Sequence, residues 1–119
     1  MVSLGKNVKL TVPRSVQDRV RALFDALGAT LVTPVPGIRN MDAFRMTGGG
    51  SAGFVYVPDG EALTVEQMRI APWLELAVDD AARAAARLDE LGIPRVDYHD
   101  RDHVYFAGPG GFVFRLAGT

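Results

Sequence analysis

Residues 73–92 read WLELAVDDAARAAARLDELG, and this stretch decides the fold. In its first six residues, Leu74, Leu76 and Val78 alternate with Trp73, Glu75 and Ala77, which indicates a strand with one face in the core. Asp79 or Asp80 can then cap a helix, along which alanine and leucine recur at helical spacing. Gly92 is the expected C-terminal stop. The stretch therefore predicts a strand followed at once by an amphipathic helix.

The sequence after Gly92 predicts three short strands, at 94–98, 103–107 and 112–116. The last two are joined by the turn sequence Gly108-Pro109-Gly110-Gly111. The second half of the chain therefore has the order strand, helix, strand, strand, strand.

The first half carries the same order. An alternating strand, Val8–Val12, precedes a helix that Ser15 can cap and that Gly28 ends. Three further strands are expected at 29–33, 43–47 and 53–57.

The two halves also match in sequence detail. Phe54-Val55-Tyr56 corresponds to Phe112-Val113-Phe114, and each triplet follows a glycine-rich turn. We interpret this as an internal duplication of a βαβββ unit within a single domain, residues 1–119. The expected parts are module one at about 5–58, a connection at about 58–71 and module two at about 72–118.

The expected fold class is α+β. A four-stranded unit with one helix leaves one face of its sheet uncovered. Two such units give a curved sheet cup with the helices outside, and concave faces of this kind are where small ligands bind.

The amino-acid composition indicates which classes of binding partner are not expected. The chain has no cysteine and a net charge of -1, with both signs mixed along it, so we expect neither disulfides nor nucleic-acid binding. No apolar run reaches the roughly 18 residues of a membrane span, and the first ten residues lack a secretory pattern. These features predict a cytoplasmic protein without membrane contact.

The duplicated βαβββ order resembles the vicinal-oxygen-chelate superfamily, which includes glyoxalase and bleomycin-resistance proteins. Residues 73–80 with the alanine-rich helix look like the opening of such a module, and 106–116 look like its closing hairpin. The resemblance covers nearly the whole chain. It implies a homodimer, because small members with this architecture pair and complete their cups at the subunit interface.

Metal-using members of this superfamily hold a divalent ion in the cup. Their ligands are often His at the start of the first strand of each module and Glu in the last strand. The matching positions here are Asn7, Trp73, Arg115 and a residue at or near Val57. Trp and Val donate no lone pair to a metal, and Arg is always cationic. The resemblance therefore implies that the usual metal site is not retained, and we expect no cofactor.

Alternation places five polar or aromatic side chains in the cup: Asn7, Lys9, Trp73, Glu75 and Arg115. Trp73 can stack on a planar ligand, and the forked donors of Arg115 can hold a carboxylate or phosphate. Glu75 can accept a hydrogen bond from a ligand or act as a general base. The opposing interpretation is that Glu75 and Arg115 only pair with each other and that Trp73 only packs.

Two further groups of residues are candidates. Arg39 lies in a loop rich in proline and glycine that can cover the rim of the cup. His99 and His103 lie among several aspartates, and both residue types are metal ligands. A four-residue spacing spans about 13 Å on an extended strand, so a solvated turn is the stronger interpretation and a metal site the alternative.

The sequence thus predicts metal-independent binding, or sequestration, of a small organic molecule in the cup. The alternative is a lyase, isomerase or dioxygenase, either metal-dependent or using Glu75 as general base. A structural or regulatory interaction module is a third hypothesis.

Overall fold

The structure, a computed structural model, describes residues 1–32, 40–58 and 63–118. Its first module consists of β1 (Asn7–Pro13), α1 (Gln17–Ala26), β2 (Thr30–Val32), β3 (Met41–Arg45) and β4 (Ser51–Val57). A short helix, α2 (Val65–Met68), lies in the connection. The second module consists of β5 (Trp73–Val78), α3 (Ala81–Glu90), β6 (Arg95–Val96), β7 (Val104–Gly108) and β8 (Phe112–Gly118).

Each module forms its own four-stranded mixed sheet. The strand orders are β1-β4-β3-β2 and β5-β8-β7-β6, so the two sheets have the same topology. The first strand of each module runs parallel to the last, and the other neighbours are antiparallel. The α+β class and the βαβββ duplication are therefore confirmed.

The two long helices end in the same way. Gly28 and Gly92 follow them with φ angles of +84° and +76°, a conformation that favours glycine. One residue later, the N–H of Ala29 donates to Phe24 O and that of Ile93 donates to Leu88 O. Both predicted glycine stops are confirmed.

The starts of these helices differ from each other. Asp80 caps α3 by accepting a hydrogen bond from the N–H of Arg83 at 3.0 Å. The expected cap at Ser15 is wrong, because residues Arg14–Val16 form a 3-10 turn directly after Pro13 and no side chain caps α1. Proline fixes a φ angle suited to starting a turn, so Ser15 lies inside this turn instead of before a helix.

The helix-covered faces of the two sheets share one hydrophobic core. Phe24 stacks on Phe44 at 4.7 Å between ring centroids, and Phe54 lies against Phe112 at 5.4 Å. Phe54 belongs to module one and Phe112 to module two, so the core joins the modules. Val8 shares the helix-covered face with Leu10 and Val12 but is 37% exposed, because only the C-terminal part of β1 is covered.

The contact between Phe54 and Phe112 also shows how the sheets meet. In one continuous sheet β1 and β5 would separate β4 from β8 by about 14 Å, which is three interstrand spacings. The observed 5.4 Å between the two rings means that the sheets approach each other through their helix-covered faces. The opposite, open face of each sheet carries the alternate set of side chains.

The described ranges contain no helix that is both long and apolar enough to cross a bilayer.

Candidate functional site

The open face of the second sheet gathers three of the predicted site residues. Pairing of β5 with β8 sets Trp73 beside Val113 and Glu75 beside Arg115, and pairing of β7 with β8 sets Tyr105 opposite Arg115. Residues paired in this way point to the same side of a sheet. The structure therefore brings Trp73, Glu75 and Arg115 together and adds Tyr105 to them.

Arg115 lies at the centre of this group. Its Nε and Nη2 atoms contact Glu75 Oε2 at 2.7 and 2.6 Å, and its Nη1 donates to the Tyr105 hydroxyl at 3.1 Å. Its guanidinium carbon lies 4.3 Å from the centroid of the Trp73 ring, within the range of a cation–π contact. The arginine is thus held on several sides in one orientation.

Asp100 closes the group from the connection between β6 and β7. Oδ2 of Asp100 accepts from the Tyr105 hydroxyl at 3.0 Å and lies 2.7 Å from His103 Nδ1 and 3.4 Å from Arg115 Nη1. Its Oδ1 accepts from the N–H of Asp102 at 2.8 Å. We call Trp73, Glu75, Asp100, His103, Tyr105 and Arg115 the arginine cluster.

The arginine cluster stabilises its own charges. The backbone hydrogen bond from Asp102, together with those from His103 and Tyr105, outweighs burial and lowers the pKa of Asp100 to about 2. The pKa of Arg115 is raised, first by its hydrogen bond with Tyr105 and then by Glu75. Both groups are therefore charged throughout the physiological range.

Sequence reasoning missed Asp100 and Tyr105 and assigned His103 to a solvated turn or a metal site. Tyr105 carried a usable signal, since it alternates with buried Phe106 and so faces away from the core. Asp100 carried none, because its position depends on how the chain between β6 and β7 folds back toward β8.

A small apolar cluster closes one end of the same face. Met68 of α2 packs with Val96, Tyr105, Ala107 and Val113, all of them buried. Tyr98 packs against this cluster, 4.6 Å from Tyr105 between ring centroids. The connection, for which the sequence predicted no helix, thus supplies a wall of the candidate site. The Thr64–Gln67 capping box at the start of α2 explains why a helix forms there.

Asn7 and Lys9 do not join the arginine cluster. They lie on the open face of the first sheet, where Asn7 accepts from the Ser51 hydroxyl and Lys9 donates to Thr11, each at 2.9 Å. All of these contacts are exposed. Arg39 lies outside the described residues.

A cleft of about 270 Å³ borders β5 from Glu75 to Val78. It runs between β5, the end of α1 and the turn after β3, and two of its wall positions are Gly48 and Gly49. Glu75 is the one charged residue among those that line it. The others are Phe24, Leu27, Ala29, Met46, Thr47, Gly48, Gly49, Leu76, Ala77 and Val78.

The donor set does not fit the divalent ion of the metal-using superfamily members. At the matching positions, Asn7 is already hydrogen-bonded to Ser51, Trp73 has no lone pair to donate, and Arg115 is a cation. Glu75, the carboxylate nearest to this position, is paired with Arg115.

The alternative metal ligands do not meet either. His103 contacts Asp100 in the arginine cluster, whereas His99 lines a separate surface cleft with Arg69, Asp97 and others. Across residues 1–32, 40–58 and 63–118, no three His, Asp or Glu side chains are placed to hold an ion together.

A second polar network lies beneath α1 and was also missed. Asp42 is 1% exposed and accepts from Arg21 through both oxygens at 2.8 Å and from the Tyr56 hydroxyl at 2.8 Å. Burial alone would raise the pKa of Asp42, but the bonds from Arg21 and Tyr56 lower it overall. This network fastens α1 to the first sheet on the side away from the open face, so we assign it to stability.

Comparisons with known proteins agree with this architecture. No protein-family model and no curated protein sequence matches the chain. Among solved structures, a protein from Bacillus anthracis assigned to the glyoxalase family matches with a TM-score of 0.72 and 13% identity, covering 100% of this chain and 97% of that one.

Two further solved structures match over similar lengths. The fosfomycin resistance protein FosX from Listeria monocytogenes has a TM-score of 0.70 and 14% identity, covering 98% of this chain and 91% of its own. Lactoylglutathione lyase from Agrobacterium tumefaciens has a TM-score of 0.65 and 17% identity, covering 98% and 94%. With its duplicated βαβββ topology, the chain therefore has the vicinal-oxygen-chelate fold of the glyoxalase and fosfomycin-resistance proteins.

Proposed function

We propose that this protein binds a small organic molecule, without a metal, on the open face of its second sheet. The observation that carries the proposal is the placement of Trp73. Its side chain is 42% exposed, yet Arg115 and Tyr105 hold it in one position. An aromatic surface fixed in advance costs little conformational entropy on binding, which favours stacking of a planar ligand.

The opposing interpretation has support in the same geometry. Glu75 and Arg115 do form an ion pair, as that interpretation expects. An ion pair alone, however, gives no reason to keep a large aromatic side chain at the surface. The exposed ring of Trp73 and the cleft beside Glu75 support binding over a purely structural role.

A second copy of the chain is part of the proposal. On the first sheet, Arg45 lies in the same row as Ser51 and Asn7, with Lys9 on the adjoining row. Lys9 and Arg45 have no carboxylate beside them on the described part of that face. The arginine cluster, by contrast, contains two carboxylates and one guanidinium. Opposite charges favour a homodimer in which the open face of the first sheet of one copy lies against the arginine cluster of the other. This arrangement would bring Asn7 and Lys9 of one copy to Trp73 of the other.

An enzyme that uses Glu75 as general base is the second candidate. Glu75 lines the cleft and leaves Oε1 without a hydrogen bond among the described residues. A carboxylate oxygen without a partner is able to take up a proton from a bound substrate. The structural neighbours include a lyase and a resistance protein, which is compatible with either candidate.

Binding is tested with the single tryptophan of the chain as reporter. We expect a planar ligand from a metabolite and antibiotic panel to quench Trp73 fluorescence, and calorimetry to show about tenfold or greater loss of affinity in Trp73→Ala and Arg115→Ala. Arg101→Ala, which changes an exposed arginine in the neighbouring turn, is the control. Unchanged affinity in both site variants would contradict the proposal.

Two accompanying measurements test its other parts. Light scattering should give the mass of a dimer, and a monomer at all concentrations would contradict the two-copy arrangement. If a turnover is found, its survival in Glu75→Gln would exclude Glu75 as the base. A cytoplasmic location also belongs to the proposal and rests on composition alone.

A further inference from the structure

We infer that the ligand of this site is a cation, such as an amine joined to a compact apolar or planar group, and that Glu75 selects it. The inference rests on the proposed function and adds the charge class of the ligand. It is carried by two features of the second sheet: the carboxylate oxygen of Glu75 that has no hydrogen-bond partner among the described residues, and the lining of the cleft.

Among the described residues, one carboxylate oxygen of the arginine cluster has no hydrogen-bond partner. Both oxygens of Asp100 already accept hydrogen bonds, and Arg115 uses its Nε, Nη1 and Nη2 atoms within the cluster. Glu75 receives Arg115 through Oε2 alone, and Oε1 has no partner in the parts of the chain that the structure describes. With a side chain 44% exposed, Glu75 can accept a hydrogen bond from a ligand donor without breaking any contact.

An anionic ligand would meet two obstacles in this arrangement. To use the fork of Arg115 it would have to displace Glu75, whose contacts with that fork are 2.6 and 2.7 Å long. The displaced carboxylate would then lie beside the anion, and like charges at short range repel. A cationic ligand meets neither obstacle.

The lining of the adjoining cleft leads to the same conclusion. Its walls are apolar or uncharged, and Glu75 is the one ionisable group among the residues that line it. A ligand that fills the cleft with an apolar group can therefore place one charged group against Glu75. A carboxylate beside an otherwise uncharged cleft can bind an ammonium through a charge-assisted hydrogen bond.

The test uses three probes of one shape: naphthalene-1-methylamine, naphthalene-1-methanol and naphthalene-1-carboxylate. Each is titrated into the ¹⁵N-labelled full chain at low salt, where electrostatic selectivity is largest. The indole N–H signal of Trp73 is followed, because it is the only tryptophan signal of the chain. Glu75→Gln removes the charge at constant shape, and Glu90→Gln on α3 is the matched control.

We expect the amine to bind about tenfold more tightly than the carboxylate, with the alcohol between them. Glu75→Gln should remove most of that difference, and Glu90→Gln should retain it. Equal affinities of the three probes, or tightest binding of the carboxylate, would overturn the inference while leaving the proposed function in place. Binding of none of the probes by the unmodified chain would count against the proposed function itself, and the inference would fall with it.

Discussion

The guanidinium of Arg115 lies over the ring of Trp73, with its central carbon 4.3 Å from the ring centroid. This contact joins the two sequence features that first indicated a site, an aromatic residue at the start of β5 and a cation in β8. It also means that the one tryptophan of the chain reports directly on the state of the arginine cluster.

Arg115→Lys should shift the fluorescence emission of the folded protein. A lysine ammonium is a compact charge on a flexible stem, so it can neither lie flat on Trp73 nor bind Glu75 and Tyr105 together. The emission spectrum measures the change, and Arg101→Lys serves as the matched control. Identical spectra for Arg115→Lys and the unmodified protein would mean that the stacked contact is not populated in solution.

Asp42→Asn should lower the free energy of unfolding by roughly 2 kcal/mol. The substitution removes the buried carboxylate that accepts from Arg21 and Tyr56, while it keeps the shape of the side chain. Urea denaturation measures the loss. Asp97 forms an exposed ion pair with Arg101, so Asp97→Asn should leave the free energy of unfolding nearly unchanged. Equal effects of the two variants would show that the buried Asp42 network adds no more stability than an exposed ion pair.

Stability should fall in acid partly through Asp100. The pKa of Asp100 is about 2 in the folded chain against an ordinary 3.8, so the unfolded chain takes up this proton first as the pH falls. The stabilisation from Asp100 is therefore complete above about pH 4 and is lost between about pH 4 and 2. The free energy of unfolding in urea should fall between about pH 5 and about pH 3, and this fall should be smaller in Asp100→Asn than in the unmodified protein. Equal losses would contradict a lowered pKa.

Gly110→Ala should destabilise the junction between the modules. Gly110 has a φ angle of +93°, and a Cβ at this position would lie 2.7 Å from Cβ of Val12 and 3.0 Å from Cγ2 of Val16. Backbone strain and overlap together should cost roughly 2–4 kcal/mol in denaturant unfolding.

Gly28→Ala is the matched control for Gly110→Ala. Gly28 also has a positive φ angle, +84°, but a Cβ there would meet no atom within 4 Å. It should therefore cost only the strain, about 1 kcal/mol. Equal costs for the two variants would argue against close packing of the β7–β8 turn on β1.

Protein purified without chelators should contain well below one divalent ion per chain. The positions that match the metal ligands of metal-using vicinal-oxygen-chelate proteins hold Asn7, Trp73 and Arg115, which together cannot coordinate a divalent ion. Elemental mass spectrometry of the undialysed protein measures this. Near-stoichiometric zinc, manganese, nickel or iron would disprove the argument from the donor set and would make a metal-dependent activity the first to test.

The sequence by itself determined the fold. Alternation marked β1, β5 and β8, helical spacing marked α1 and α3, and the glycines at positions 28 and 92 marked both helix ends. These signals are local, because a strand or a helix places its own side chains at a fixed period. Duplication strengthened them, since each half of the chain supported the interpretation of the other.

The site was only partly readable from the sequence. Trp73, Glu75 and Arg115 share a face by alternation alone, and the structure brings them together. Asn7 and Lys9 have the same alternation but lie on the other sheet, because alternation gives the face of a strand and not the position of the sheet. The tertiary structure alone decided how the two sheets meet, through contacts such as that of Phe54 with Phe112.

Asp100 and Met68 were not readable from the sequence for a related reason. They come from connections whose sequence has no period, and the structure places them beside β7 and β8. The path of such a segment depends on contacts made far along the chain, such as Asp100 with Arg115 and Met68 with Val113. Local periodicity therefore determined which faces the chain presents, and only the packing of distant segments decided which groups meet on them and which oxygen of Glu75 stays free.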